Sequence, residues 1–293
     1  MRSSPAIILG IVFCVAFYLC SYVNNALAVE PRSVFFDEEI NISSNNGTSE
    51  LPQVTAQGNN VYVVWQDDSG GNYDVYFAYS SDNGKTFESI RNLSKNNGTS
   101  ELPQVTAQGN NVYVVWQDDS GGNYDVYFKS SSSNGSKFKS NRNLSKNNGT
   151  SELPQITSNK DIFIVIWKDN TYGMGGVFFK EGRKDVLTNN PEFDSLNRIQ
   201  SFGRVSEPRI FAANDFFSSI WISHSGNESV INFYPLNFFD STNNSIQLTR
   251  LSSADITNVS IFGDNTNAYC VWAGGEFSNP DIFFKRISSN TLH

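Results

Sequence analysis

Residues 45–77 read NNGTSELPQVTAQGNNVYVVWQDDSGGNYDVYF, and residues 96–128 repeat them letter for letter at an offset of 51. A third copy begins NNGTSELPQIT at Asn147 and then diverges. The register outlives the identity. Five tryptophans, Trp65, Trp116, Trp167, Trp221 and Trp272, stand 51, 51, 54 and 51 residues apart. A phenylalanine follows each by twelve residues: Phe77, Phe128, Phe179, Phe233 and Phe284. A proline precedes the first four by thirteen, at Pro52, Pro103, Pro154 and Pro208, and the fifth copy has Val259 there. The chain therefore holds five units of about 51 residues.

One unit divides into four strands. In the second copy these are Pro103–Ala107, Asn111–Gln117, Asp125–Ser130 and Lys137–Leu144, with Gly109-Asn110-Asn111 as the tight turn between the first two. The second strand, Val-Tyr-Val-Val-Trp, is apolar on both faces, as a strand covered on both sides must be. Repeats of this length made of short strands imply an all-β fold, a five-bladed β-propeller of four-stranded blades. The tryptophans, fixed at the end of that strand, read as packing between blades rather than as sugar-stacking platforms. Ser33–Ser43 (SVFFDEEINIS) aligns with the fourth strand, Thr86–Ser94, and the fifth copy runs only through its third strand, Asp281–Ile287. The N-terminal strand is therefore expected to complete the last blade and close the ring, making 29–293 one domain.

Arg2, the apolar run from Ala6 to Val23 and the small-residue pattern Ala26-x-Ala28 read as a signal peptide over residues 1–28. An uncleaved N-terminal anchor is the alternative, and the only membrane contact expected. Cys14 and Cys20 fall inside this run, leaving Cys270 as a small buried hydrophobe. A secreted or cell-surface location follows. It agrees with Asn-x-Ser/Thr triplets at Asn41, Asn46, Asn92, Asn97, Asn134, Asn143, Asn148, Asn227, Asn243 and Asn258, which mark possible glycan sites.

Composition narrows the chemistry. With 21 Lys+Arg against 29 Asp+Glu, a formal charge of −8 and no basic run, nucleic-acid binding is not expected. Only two histidines, His224 and His293, and three cysteines occur, which argues against a His- or Cys-ligated zinc site and a Ser-His-Asp triad.

Ser80-Ser81-Asp82-Asn83-Gly84-Lys85-Thr86-Phe87 resembles the Asp-box, or BNR repeat, of sialidase-like propellers. Its structural residues are Ser80, Asp82, Gly84 and Phe87; the second copy keeps Ser131, Asn134-Gly135 and Phe138 but has Ser133 in place of Asp82. The resemblance implies the fold and a structural turn on the side opposite an active site. A sialidase would also bring three arginines gripping a carboxylate, a Tyr/Glu nucleophile pair and an acid/base Asp. Here the position after the proline is Gln53, Gln104 and Gln155, and only then Arg209; Arg204 and Glu207 lie beside it.

The loops on the opposite face place Glu50, Asp67, Asp68 and Asp74 in the first unit and Glu101, Asp118, Asp119 and Asp125 in the second. Glu50, Gln53, Asp68, Glu101, Gln104, Asp119 and Gln155 are the ligand-binding candidates. Asp67, Asp74, Asp118 and Asp125 are the candidates for a calcium site, no other cofactor being implied, although turn chemistry alone also calls for these residue types. The expectation is a binding or structural module for glycans or extracellular and envelope proteins. The alternative is a sialidase-like exo-glycoside hydrolase using Arg209, Arg204 and Glu207.

Overall fold

The computed structural model describes residues 37–88, 90–173, 175–185, 191–199, 203–213, 217–236, 245–252, 255–264, 266–276 and 279–288. Residues 37–41 belong to one compact unit, where they are exposed and form no strand; the other described residues belong to a second, which holds all the described strands.

The described residues form five antiparallel sheets and no helix. The first is β1 (Ser49–Gln57), β2 (Asn60–Asp67), β3 (Asp74–Ser80) and β4 (Arg91–Asn92). The second is β5 (Ser100–Gln108), β6 (Asn111–Asp118), β7 (Asp125–Ser131) and β8 (Arg142–Asn143). The third is β9 (Ser151–Asn159), β10 (Ile162–Asp169) and β11 (Gly176–Lys184), with β12 (Pro191–Phe193) and β13 (Asn197–Ile199) both paired to β11. The fourth is β14 (Arg204–Ala212), β15 (Phe217–Ser225), β16 (Glu228–Pro235) and β17 (Ile246–Ser252). The fifth is β18 (Asp255–Gly263), β19 (Asn267–Glu276) and β20 (Asn279–Ser288).

The repeated proline marks a bulge. The residue before it has positive φ in every unit: Leu51 at 51°, Leu102 at 52°, Leu153 at 56°, Glu207 at 50° and, before Val259, Asn258 at 53°. The strand register slips at each of these points. Proline fits there because the bulge takes one backbone N–H out of the ladder.

A second repeated device is Trp-x-Asp. Asp118 is fully buried, and its Oδ2 accepts from Asn96 Nδ2 at 2.6 Å, Ser100 Oγ at 2.7 Å and Trp116 Nε1 at 3.1 Å, while Oδ1 accepts from Ser120 N at 3.0 Å. Asp67 and Asp169 repeat the pattern with Asn45, Ser49 and Trp65, and with Asn147, Ser151 and Trp167. This clamp ties the start of the first strand of a sheet to the end of the second.

Sheets pack face to face in sequence order. In each, one face (here the leading face) carries the tryptophan, and in the first four the other (the trailing face) meets the next sheet. Tyr62, Val64 and Phe77 of the first sheet bury Val112, Val114 and Trp116 of the second. Tyr113, Val115 and Phe128 do the same to Phe163, Val165 and Trp167. The third and fourth sheets meet through Ile164, Ile166, Val205 and Trp221, and the fourth and fifth through Ile220, Phe233, Cys270 and Trp272. At roughly 1.5–3 kcal/mol per fully buried large side chain, these junctions supply the main apolar stabilisation.

Three details depart from the sequence reading. The fourth strands of the first two sheets shrink to two residues, the third sheet gains a fifth strand, and the fifth sheet has three among the described residues. Of the segment expected to complete it, Ser33–Ser43, residues 33–36 lie outside the described residues and 37–43 form no strand. Among the described residues no closed ring is shown: in the first sheet Val54 is 68% exposed while Trp65 is buried, and in the fifth Ile282 and Phe284 are 77% and 64% exposed.

The hairpin after β3 has the bonding its motif requires. Ser80 Oγ donates to Asp82 Oδ1 at 2.7 Å and accepts from Gly84 N at 2.9 Å; Asp82 also accepts from Thr86 N at 2.9 Å and Thr86 Oγ1 at 2.7 Å. Phe138 of the second copy packs edge-on against Phe77 at 4.8 Å.

Candidate functional site

The junctions are not equivalent, and the difference makes a cleft. Between the first and second sheets, Gln66 Oε1 accepts from Leu102 N at 3.1 Å and Asn72 Nδ2 donates to Gly98 O at 2.5 Å, sealing the loops together. Gln117 and Asn123 repeat both bonds to Leu153 N and Gly149 O. In the third copy the glutamine becomes Lys168, which has no acceptor to offer, the asparagine becomes Met174, and the tryptophan spacing lengthens to 54. Here neither bond of the seal is formed among the described residues. A cleft of about 470 Å³ opens between the third and fourth sheets, lined by Lys168, Asn170, Arg204, His224, Ser225 and four glycines.

Arg204, at the start of β14, is the cross-strand partner of His224 near the end of β15. His224 Nε2 lies 3.2 Å from Ser206 Oγ and Nδ1 lies 2.9 Å from Ser229 Oγ. A hydroxyl both donates and accepts, so this setting accommodates either imidazole tautomer and fixes the ring plane. Gly203 makes the turn onto β14 with φ +84°, and a Cβ there would run into the His224 carbonyl. Lys168 Nζ forms an ion pair with Glu152 Oε2 at 2.8 Å. In the loop between Asn170 and Gly173, Tyr172 is 66% exposed, stacks on Phe178 at 5.9 Å and carries the Arg198 guanidinium 5.3 Å above its ring. The cleft thus offers two cations, an imidazole and a neighbouring aromatic face.

The other expected site residues lie elsewhere. Glu207 turns to the fifth sheet, its Oε2 accepting from Val259 N at 3.1 Å, and Arg209 Nη1 donates to the adjacent Pro208 carbonyl at 3.2 Å. Of that trio only Arg204 reaches the cleft. Glu50 accepts from Gln66 and Tyr73, and Glu101 from Gln117 at 3.3 Å and Tyr124 at 3.1 Å. Burial and the charge of Glu101 push the Tyr124 hydroxyl up to about 12, which keeps it a proton donor. Asp68 and Asp119 cap the backbone N–H of Thr48 and Thr99 at 2.6 Å. Gln53 and Gln104 are half-buried on β1 and β5, and Gln155 Nε2 donates to the Pro154 carbonyl at 3.0 Å.

The carboxylates considered for calcium face inward. Asp67 and Asp118 serve the Trp-x-Asp clamp. Asp74 accepts from Asn92 Nδ2 and Ser94 Oγ at 2.6 Å, and Asp125 from Asn143 at 2.7 Å and Ser145 at 2.6 Å. Among the described residues no three His, Cys, Asp or Glu converge on one point. Of the sequon asparagines, Asn41, Asn46, Asn97, Asn148, Asn227 and Asn258 are exposed, Asn134 is half-buried, Asn92 and Asn143 bind carboxylates, and Asn243 is outside the described residues.

Sequence reasoning missed Lys168, His224 and Tyr172. Lys168 was visible as a cation replacing Gln66 and Gln117. His224 was not, because only the register imposed by the bulge at Glu207 sets it opposite Arg204.

No protein-family model matches the chain, and no curated protein matches it. Solved structures do. A polysaccharide lyase of family PL25, an ulvan lyase solved bound to -[GlcA(1-4)Rha3S]-, superposes with a TM-score of 0.54 at 12% identity, over 82% of this chain and 64% of that one. This chain therefore spans less than two thirds of that enzyme's length. A GH62 α-L-arabinofuranosidase domain from Coprinopsis cinerea gives 0.45 at 10% identity over 86% and 93%, and a family 117 glycoside hydrolase from Zobellia galactanivorans 0.46 at 12% over 86% and 87%. The expectation of a binding module without catalysis is corrected by the ulvan lyase, the neighbour that superposes best of these three, which is an enzyme of glycan cleavage. Its premise, that the positions after the proline offer mostly glutamine, left out Lys168, Arg204 and His224, which line one cleft. In fold the chain is an all-β, propeller-like array of antiparallel sheets, similar to that of the ulvan lyase.

Proposed function

We propose that the protein cleaves an anionic polysaccharide in the cleft between its third and fourth sheets. The convergence of Lys168, Arg204 and His224 carries this reading. Arg204, a forked donor, and Lys168 suit a sugar carboxylate or sulfate. Tyr172 presents a ring face for a pyranose.

The lining groups suit elimination from a uronate. Neutralising the carboxylate acidifies the C5 proton, the His224 imidazole takes it, the C4–O bond breaks as a C4–C5 double bond forms, and the leaving oxygen gains a proton. A second reading, an exo-acting hydrolase of sialidase type, rests on Arg204 and on the Glu152 carboxylate held against Lys168. Assays on uronate-rich and sulfated polysaccharides separate the two. Elimination gives an ultraviolet-absorbing unsaturated product lost in His224→Ala and Arg204→Ala; hydrolysis gives reducing ends without that absorbance. No cleavage of any anionic glycan would overturn both.

The finer parts of the fold belong to the same proposal. The bonded Ser80–Asp82–Thr86 hairpin supports kinship with Asp-box propellers. Residues 33–43 would supply the fourth strand of the fifth sheet. Export after cleavage at Ala28 would bring the cleft to extracellular glycans, and retention of Met1 in exported material would refute that cleavage.

A further inference from the structure

We propose that Arg198 is a second anion-binding site at the rim of the cleft, taking a sulfate or carboxylate on the polysaccharide residue next to the one Arg204 holds. This rests on the cleft being a polyanion site, as proposed above. The first two sheets agree at the positions concerned, and the third departs from both. Strand pairing sets Asp67 opposite Asp74 and Asp118 opposite Asp125, but Asp169 opposite Gly176. It sets Tyr76 opposite Asn92 and Tyr127 opposite Asn143, but Phe178 opposite Arg198. The first two sheets therefore hold a buried carboxylate against an asparagine, Asp74 with Asn92 at 2.6 Å and Asp125 with Asn143 at 2.7 Å. The third has lost the carboxylate and has a guanidinium in place of the amide.

The two changes occupy one place. A Cβ on Gly176 would lie 3.1 Å from Arg198 Nε, so the arginine crosses the space where an aspartate side chain would start. Tyr172, where the first two units have Gly70 and Gly121, supplies the ring beneath the guanidinium. Stacking uses a face of the guanidinium and leaves its in-plane N–H groups for a forked bond to an anion. Among the described residues no carboxylate pairs with Arg198. A purely structural replacement would be buried, as Asp74 and Asp125 are; instead Arg198 is exposed and Tyr172 is 66% exposed.

Two further changes join this place to the cleft. Gly175, next to Gly176 and lining the cleft, stands where the first two units have Tyr73 and Tyr124, whose hydroxyls bond Glu50 and Glu101. Lys168 stands where they have Gln66 and Gln117. Glutamine to Lys168, aspartate to Gly176 and asparagine to Arg198 each move the local charge one unit toward positive, three in all, in a chain of formal charge −8. Charge of one sign gathered at one edge, with a tyrosine withdrawn beside it, suits a ligand bearing more than one negative group. Successive residues of an anionic polysaccharide supply such groups.

The test measures binding to the full chain by calorimetry with two probes: trigalacturonate, which carries carboxylates alone, and a dextran sulfate oligosaccharide, which carries sulfates alone. Gly176→Asp combined with Arg198→Asn restores the pair that the first two sheets hold, so this variant should fold with an unchanged melting temperature. It should bind at least one probe about 10- to 100-fold more weakly, and the probe affected identifies the group. Arg204→Gln should weaken the same probe. Unchanged affinity for both probes in the double variant, with loss in Arg204→Gln, would overturn the Arg198 site and leave the cleft reading standing. Loss in the double variant with none in Arg204→Gln would keep the Arg198 site and overturn the cleft reading. Binding of neither probe by the unaltered chain would overturn both. Lost affinity accompanied by a lowered melting temperature in both the double variant and Arg198→Gln would make Arg198 a structural residue and overturn the site.

Discussion

Trp116 Nε1 donates to Asp118 Oδ2 at 3.1 Å, two residues on and fully buried. In the fourth sheet the same place two residues after tryptophan is Ser223, and the buried Trp221 Nε1 has no partner. Trp→Phe at the two sites removes similar bulk but different bonding. Trp116→Phe should cost about 1–3 kcal/mol more than Trp221→Phe, since only the former strips a hydrogen bond from a buried carboxylate. Urea unfolding of the pair measures the difference.

The clamp carboxylates also set acid stability. Burial pushes Asp67 up, but hydrogen bonds from Ser49, Ser69 and Asn45 outweigh it and hold the carboxyl at about 2; Asp118 and Asp169 are lowered in the same way. A folded-state value below the unfolded one stabilises above about pH 4, and that contribution drains away as pH falls toward 2. Melting temperature should drop steeply over this window. Asp118→Asn should cost about 1–3 kcal/mol at neutral pH and flatten the acid limb.

Gly203→Ala should damage stability and activity together. It adds a side chain at φ +84° and drives a methyl into the His224 carbonyl. We expect a loss above about 1 kcal/mol and reduced turnover, read from melting and initial rates on one preparation.

Tyr172→Ala should raise KM and leave kcat unchanged, because a stacked ring beside the reacting groups binds ground and transition states alike. His224→Ala should lower kcat about 10²-fold or more. A Tyr172 effect confined to kcat would place that ring at the chemistry instead.

The units and their apolar second strands were legible because a 51-residue register survives wherever a sheet must present tryptophan and phenylalanine to its neighbours. The bonding of the acidic residues was hidden for a physical reason. Asp67 and Asp118 look like turn residues in the sequence, yet each turns inward to satisfy a tryptophan, an asparagine and a serine. Closure was not legible, because a strand count cannot say whether the first and last sheets meet. The cleft was hidden because it arises from bonds that fail to form at Lys168, and the repeat pattern reports only those that do.

The identity of 45–77 and 96–128 carries a consequence for how the chain finds its fold. Through those 33 residues nothing local distinguishes the first sheet from the second. A nascent chain could pair β1 with β6 as favourably, residue for residue, as with β2. Only loop closure separates the outcomes: Gly58-Asn59 links the correct hairpin, whereas the wrong one spans more than fifty residues at a higher entropic cost. Sequence order therefore rests on how early each hairpin closes, and conditions that slow that step should trap chains with their first two sheets interchanged.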